Sequence, residues 1–156
     1  MTISFPRFAA AALLFVGGAI VAFSAFGIVV ARIAIASGVP VAISPADVAL
    51  LDDVAQLMPF VGAFAVANVV AAIALVSGSS WADRLATTVS AVAVGIGLFA
   101  ITLLIVGRDP FDAVAWNRAL DGLGILGTFV ALYGAVIAAL ALDGKSFVRA
   151  TTQAAA

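Results

Sequence analysis

The amino-acid sequence predicts an all-α integral membrane protein, a bundle of four transmembrane helices built from two helical hairpins. The chain of 156 residues is 65% hydrophobic and only 10% charged, and its mean hydropathy is +1.30. Soluble domains average about 45–50% apolar and about 25% charged residues. A water-soluble fold of this size has too little interior to bury so much apolar surface, so lipid is the expected solvent for most of the chain.

Four uninterrupted apolar stretches set the number of spans. A helix needs about 20 mostly apolar residues to cross a hydrocarbon core about 30 Å thick. Four stretches without a charged residue meet that length, at residues 8–31, 60–76, 85–106 and 123–142. The first follows Arg7 and loosely resembles a cleaved signal peptide, but its apolar run continues beyond Ser24 to Ala31. That length favours a spanning helix.

The basic residues predict the orientation of a single membrane domain, residues 1–156. Hairpin 1 covers about 7–77, hairpin 2 about 84–142, and residues 143–156 form a tail expected to fray. Four spans place both termini on one side, and the lysine and arginine count favours the cytoplasm for that side. That side carries Arg7, Arg84, Lys145 and Arg149, and the other carries Arg32, Arg108 and Arg118. The expected location is the cell inner (plasma) membrane.

Helix-start signals precede the second and fourth spans, at Ser44-Pro45-Ala46-Asp47 and Asp109-Pro110-Phe111-Asp112. A polar cap, a proline in the first turn and an aspartate near the positive end of the helix dipole all favour helix initiation. Both sites lie well before the apolar stretches. The sequence therefore predicts short interfacial helices on the non-cytoplasmic side.

The two hairpins also resemble an internal repeat. A shift of 65 residues aligns Pro45 with Pro110, and Pro59 with Gly124, where each segment is expected to bend into its span. Parallel repeats of this kind occur in some transporters. The identities are few in a chain so rich in Ala, Val and Leu, so chance similarity is an equally good interpretation.

The residues that are missing exclude several classes of function. The chain has no His and no Cys, and every acidic residue is Asp. The usual ligands of haem and iron–sulfur clusters and the usual cysteine or histidine of a nucleophilic site are therefore missing. No predicted span contains the ionisable residue that ion-coupled transport normally needs. Neither an enzyme, a cofactor nor a metal site is expected, and the net charge of −1 gives no basic patch for nucleic acid. The acidic residues of the outer face are expected to be solvated rather than to bind a divalent cation: Asp47, Asp52, Asp53, Asp109, Asp112 and Asp121.

Asn68 and Tyr133 are the candidate site residues, as a possible intramembrane polar contact. The 65-residue shift pairs them, and each lies within a predicted span. The alternative is an ordinary interhelical hydrogen bond. Small-residue patterns at Gly18-x-x-x-Ala22, Gly124-x-x-x-Thr128 and Gly134-x-x-x-Ala138 are expected to pack within the bundle.

Elimination leaves a non-catalytic function. We expect an accessory or assembly subunit of a larger membrane complex, or a self-associating membrane protein. The alternative is a small passive carrier or channel that acts as an oligomer. The expected partners are membrane lipid and other membrane subunits or a second copy of the chain.

Overall fold

The described part of the protein is almost entirely helical. The computed structural model describes residues 3–38, 45–106 and 113–154, and this part of the chain contains no strand. The helices are α1 (Phe5–Ala36), α2 (Pro45–Gln56), α3 (Met58–Ser77), α4 (Ala82–Val106) and α5 (Ala113–Ala154). Four segments are long and apolar enough to cross a membrane: Phe5–Ala36, Met58–Ser77, Ala82–Val106 and Leu120–Gly144. The prediction of an all-helical chain with four long apolar helices is confirmed.

Local sequence signals account for the helix boundaries on either side of the second span. α2 begins at Pro45, where the helix-start signal predicts, and Leu57 separates it from α3. A proline in the first turn of α3 removes no helical hydrogen bond. α3 ends at Gly78, whose φ of 73° is left-handed, and the Ser79 amide donates to the Ala74 carbonyl at 3.1 Å. This Schellman closure turns the chain into α4.

The fourth span differs from its expected form because α5 is one continuous helix of 42 residues. It passes through Gly124 without a break and continues beyond residue 143 into the segment expected to fray. Glycine lowers helix propensity by only about 1 kcal/mol, whereas open backbone groups in lipid cost several. Residues 145–154 contain neither Pro nor Gly, so no residue there ends the helix. The start signal at Pro110 lies outside the described residues.

The four long helices pack in a closed ring in the order α1, α3, α4, α5. Gly18 of α1 lies against Ala65 of α3, and Gly97 of α4 lies against Val130 of α5. α2 packs lightly against α1 and α3. We name the two ends of the bundle after their arginines, the Arg7 end and the Arg32 end.

Small side chains fill most of the space between the helices. Tyr133, Leu14 and Leu75 are the largest of the fully buried side chains. Without a hydrophobic force between helices in lipid, small residues stabilise a bundle by letting backbones approach closely. The buried alanines and glycines come mainly from α1, α3 and α4: Ala10, Ala11, Gly17, Gly18, Ala65, Ala71, Ala72, Ala74, Ala82, Ala86, Ala93 and Gly97.

Among the described residues, one ion pair lies at each end of the bundle. Arg7 of α1 contacts Asp83 of α4, and Arg32 of α1 contacts Asp52 of α2, both at 2.9 Å. The Arg32–Asp52 pair is half-exposed, so it holds α2 only weakly, by about 1 kcal/mol at most. Arg7 is the more buried of the two arginines.

The helix arrangement predicts that Ser37 and Ser79 lie on opposite sides of the membrane, because α3 separates them as one span. The chain has no native Cys, so Ser37→Cys and Ser79→Cys each introduce a single thiol. A membrane-impermeant maleimide applied to sealed vesicles of known orientation should label one variant and leave the other unlabelled until the vesicles are opened. Labelling of both variants from the same side would contradict the prediction that α3 crosses the membrane once.

Candidate functional site at the centre of the bundle

The candidate residues Asn68 and Tyr133 meet inside the bundle. The Tyr133 hydroxyl donates a hydrogen bond of 2.9 Å to Oδ1 of Asn68, and both side chains are fully buried. Asn68 lies at the middle of α3, and its Nδ2 donates to the Phe64 carbonyl of the preceding turn at 2.8 Å. The amide thus has both a donor and an acceptor bond. At this depth no water replaces a lost partner, so the pair is satisfied only by the protein.

Tyr133 reaches across the interior from α5 to α3, which occupy opposite corners of the ring. Its ring packs between two phenylalanines, with centroids 5.9 Å from Phe64 and 4.8 Å from Phe129. The tilts of 49° and 57° suit aromatic pairs, which prefer tilted or offset contacts to flat stacking. The aromatic cluster therefore fills the middle of the bundle. A passive channel, the alternative function, would have to conduct between copies of the chain rather than through one copy.

Two adjacent glycines of α1 make room for the polar pair. A Cβ atom built on Gly17 would lie 2.7 Å from the Tyr133 hydroxyl oxygen, and one built on Gly18 would lie 3.0 Å from Cβ of Asn68. The first distance is shorter than real Cβ contacts, and the second is tight enough that the neighbouring atom would have to shift. α1 therefore contacts each member of the pair directly with its backbone, and three helices meet at one point.

Ser90 is the third buried polar side chain of the core. It lies on the inner face of α4 and is fully buried, and its hydroxyl has no hydrogen-bond partner among the described residues. An isolated hydroxyl in such a core is usually satisfied by a carbonyl of its own helix after a small rotation.

The chemistry available at this site is limited to hydrogen bonding. A tyrosine hydroxyl, an asparagine amide and a serine hydroxyl supply donors and acceptors but no carboxylate, imidazole or thiol. Within the described part of the chain, no three His, Cys, Asp or Glu residues lie together in a group able to hold a metal ion. Of the outer-face aspartates, Asp52 pairs with Arg32 and Asp121 is exposed. The side chains of Asp47, Asp53, Asp109 and Asp112 lie outside the described residues.

Sequence reasoning paired Asn68 with Tyr133 but missed the glycines that accommodate them. Gly18 stood out only as part of a small-residue pattern, and Gly17 belonged to no such pattern. An adjacent Gly-Gly pair near the middle of α1 is the signal that would have placed α1 against the pair, since both glycines lie at the depth of Asn68.

The buried hydrogen bond predicts a measurable coupling between Asn68→Leu and Tyr133→Phe. In a double-mutant cycle on the free energy of unfolding in detergent, the coupling should be about 0.6 kcal/mol and at most about 1.7 kcal/mol, the range found for hydrogen bonds inside membrane proteins. The matched control cycle pairs Thr102→Val with Tyr133→Phe, because the Thr102 hydroxyl bonds to Leu98 of its own helix and not to Tyr133. A coupling no larger than the control's would show that the hydrogen bond does not contribute to stability.

The close approach of α1 predicts that Gly17→Ala destabilises the bundle by about 1–3 kcal/mol, the usual penalty for overpacking. Gly27→Ala on the same helix is the control, since nothing lies within 4 Å of a Cβ there. Removing the hydroxyl with Tyr133→Phe should reduce the penalty of Gly17→Ala. Equal stability of the Gly17→Ala and Gly27→Ala proteins would contradict the described contact.

Comparison with known proteins identifies no relative of this chain. No protein-family profile, curated protein or solved structure matches this chain. A function has to come from the contacts and surfaces of the bundle itself.

Proposed function

We propose that this chain is a small non-catalytic multi-pass membrane protein that works by association, either as an accessory or assembly subunit of a larger membrane complex or with itself. The observation that carries the proposal is the exposed face of α5. Gly124, Thr128, Ala131, Ala135 and Ala138 are all exposed and are spaced alternately by four and three residues. Each is small, and together they form a continuous stripe, named here the α5 stripe.

The exposed surfaces of α1, α3 and α4 mix small residues, such as Gly27, Gly62 and Gly95, with bulky ones. Bulky apolar side chains are exposed along α1, α3 and α4, such as Phe23, Phe60 and Phe99, which suit contact with lipid chains. Among the described residues of α5, large exposed apolar side chains occur only outside the stripe, at Leu120, Ile125 and Leu142. This asymmetry separates a lipid-facing perimeter from one face suited to another helix.

The glycines of the fourth span are compatible with this assignment. Nothing in the described chain lies within 4 Å of a Cβ built on Gly124 or Gly134, and the same is true of Gly27, Gly62 and Gly95 on the other helices. These glycines were expected to pack within the bundle, as Gly18 does against Asn68 and Ala65. An outward-facing glycine lets a second backbone approach closely, and the Thr128 hydroxyl is already bonded to the Gly124 carbonyl at 2.8 Å. The stripe therefore presents no unsatisfied polar group to its partner.

Self-association is the case that the surface supports best. Alternate spacings of four and three residues repeat every 3.5 residues, the period at which two helices pack along their length with a small left-handed crossing. A stripe of uniformly small residues is complementary to its own copy, as a two-fold symmetric dimer requires. A helix from a larger complex remains the alternative occupant.

The proposal includes the finer topology. The two hairpins pair α1 with α3 and α4 with α5, α2 lies along the membrane surface at the Arg32 end, and both termini face the cytoplasm of the inner (plasma) membrane. The half-exposed Arg32–Asp52 pair and the light packing of α2 support the interfacial position. The small excess of basic residues at the Arg7 end supports the orientation.

The internal repeat also remains a proposal, with some contacts that favour it and one difference that opposes it. Asn68 and Tyr133, 65 residues apart, bond to each other across the ring, as equivalent residues near a two-fold axis would. Ala65 and Val130, also 65 apart, each lie against a glycine of a neighbouring helix, Gly18 and Gly97. The break at Leu57 in one half and the continuous α5 in the other oppose an exact repeat.

The α5 stripe predicts that Ala131→Leu with Ala135→Leu weakens self-association by about tenfold or more, because bulky side chains hold the backbones apart. Energy transfer between labelled copies in liposomes, measured over a range of protein-to-lipid ratios, reports the association. The control pair is Ala63→Leu with Ala91→Leu, two exposed alanines on other helices.

Transfer that survives the α5 variant but not the control variant would place the interface elsewhere. A wild-type chain that stays monomeric in liposomes would contradict self-association. If another membrane protein then co-purifies in mild detergent and is lost only with the α5 variant, the stripe serves a larger complex.

A further inference from the structure

An open crevice lies between α4 and α5 at the Arg7 end of the bundle. Its volume is about 460 Å³. The rim is charged and consists of Arg7, Asp83 and Asp143, while Ile137, Leu140 and Ala141 form an apolar floor. Three different helices contribute the charged groups, so the crevice exists only in the assembled bundle.

The crevice sits at the depth of lipid headgroups. Arg7 lies in the first turn of α1, Asp83 in the first turn of α4, and Asp143 at the end of the fourth span. Each charged residue therefore marks the boundary of an apolar span, and the floor residues lie about one turn deeper on α5. A molecule in this crevice would have its polar part in the interfacial region and its apolar part in hydrocarbon.

Among the described side chains, the rim holds one arginine and two aspartates. Arg7 forms its ion pair with Asp83, while the described partner of Asp143 is the Ser4 hydroxyl, which donates a hydrogen bond to Oδ1. Two carboxylates thus face one guanidinium among the described side chains. A primary ammonium would bring a positive charge and several N–H donors to Asp143.

Arg7 is a cationic group of the rim. Its Nη2 atom donates to Asp83, and the guanidinium has further N–H donors on a side chain that is 23% exposed at the rim of the crevice. A phosphate oxygen is the acceptor that arginine binds best.

We infer that this crevice binds the headgroup of an aminophospholipid, with its ammonium on Asp143 and its phosphate toward Arg7. The apolar floor would receive the start of an acyl chain. A choline headgroup has no N–H to donate, and a glycerol headgroup adds negative charge without an ammonium, so both should bind more weakly.

The test compares three lipids with identical acyl chains. Delipidated protein in detergent receives an equimolar mixture of phosphatidylethanolamine, phosphatidylcholine and phosphatidylglycerol, and native mass spectrometry counts the bound lipids. The wild type should retain phosphatidylethanolamine over each competitor by about threefold to tenfold, as expected for one charge-assisted hydrogen bond at a partly exposed site. Asp143→Asn should abolish this preference, and Asp121→Asn, an exposed aspartate elsewhere on α5, should preserve it.

A second variant guards against loss of folding. Ala141→Leu fills the floor from an exposed position without changing any charge, and it should reduce lipid retention, whereas Ala91→Leu on α4 should not. Equal retention of the three lipids by the wild type would overturn the proposal. So would a preference that survives both Asp143→Asn and Ala141→Leu in proteins with wild-type unfolding temperatures.

Discussion

The hydrogen bond from Tyr133 to Asn68 is the contact on which the arrangement of the bundle depends. α3 and α5 stand at opposite corners of a four-helix ring, and Tyr133 crosses the space between them. In lipid, an unpaired amide at the middle of α3 would be more unfavourable than the bond itself is favourable. The polar pair therefore fixes which faces of α3 and α5 point inward. α1 follows, because Gly17 and Gly18 are the positions at which its backbone fits against the pair.

Because the inward faces of the helices are fixed, their outward faces are fixed as well. These outward faces differ in the size of their side chains. The aromatic and branched side chains of α1, α3 and α4 face lipid, while the α5 stripe is lined by glycine, alanine and threonine. Inside, the core offers hydrogen bonds without a group that titrates near neutral pH. Outside the core, the α5 stripe is the surface proposed to contact another helix, and a charged crevice lies at the Arg7 end.

Part of this picture follows from the sequence, and part does not. The four spans can be predicted from the sequence because an uncharged apolar stretch of about 20 residues is stable as a helix across the hydrocarbon core of a membrane. The partnership of Asn68 with Tyr133 came from a shift of 65 residues, not from any physical signal of contact. The direction of a glycine cannot be read from small-xxx-small spacing, so Gly18 and Gly124 looked alike although one faces Asn68 and the other faces outward. The partners of Asp83 and Asp143 come from α1, far away in sequence, and only the fold brings them together.

A direct measurement of the central contact is possible because the chain has a single tyrosine. Solid-state NMR on protein in bilayers, with ¹³C at the tyrosine Cζ and ¹⁵N in asparagine side chains, detects the dipolar coupling between neighbouring labels. The arrangement described here predicts a coupling between Tyr133 Cζ and an asparagine Nδ2 that is lost in Asn68→Leu. A folded wild-type sample without that coupling would contradict it, and with it the assignment of the inward faces.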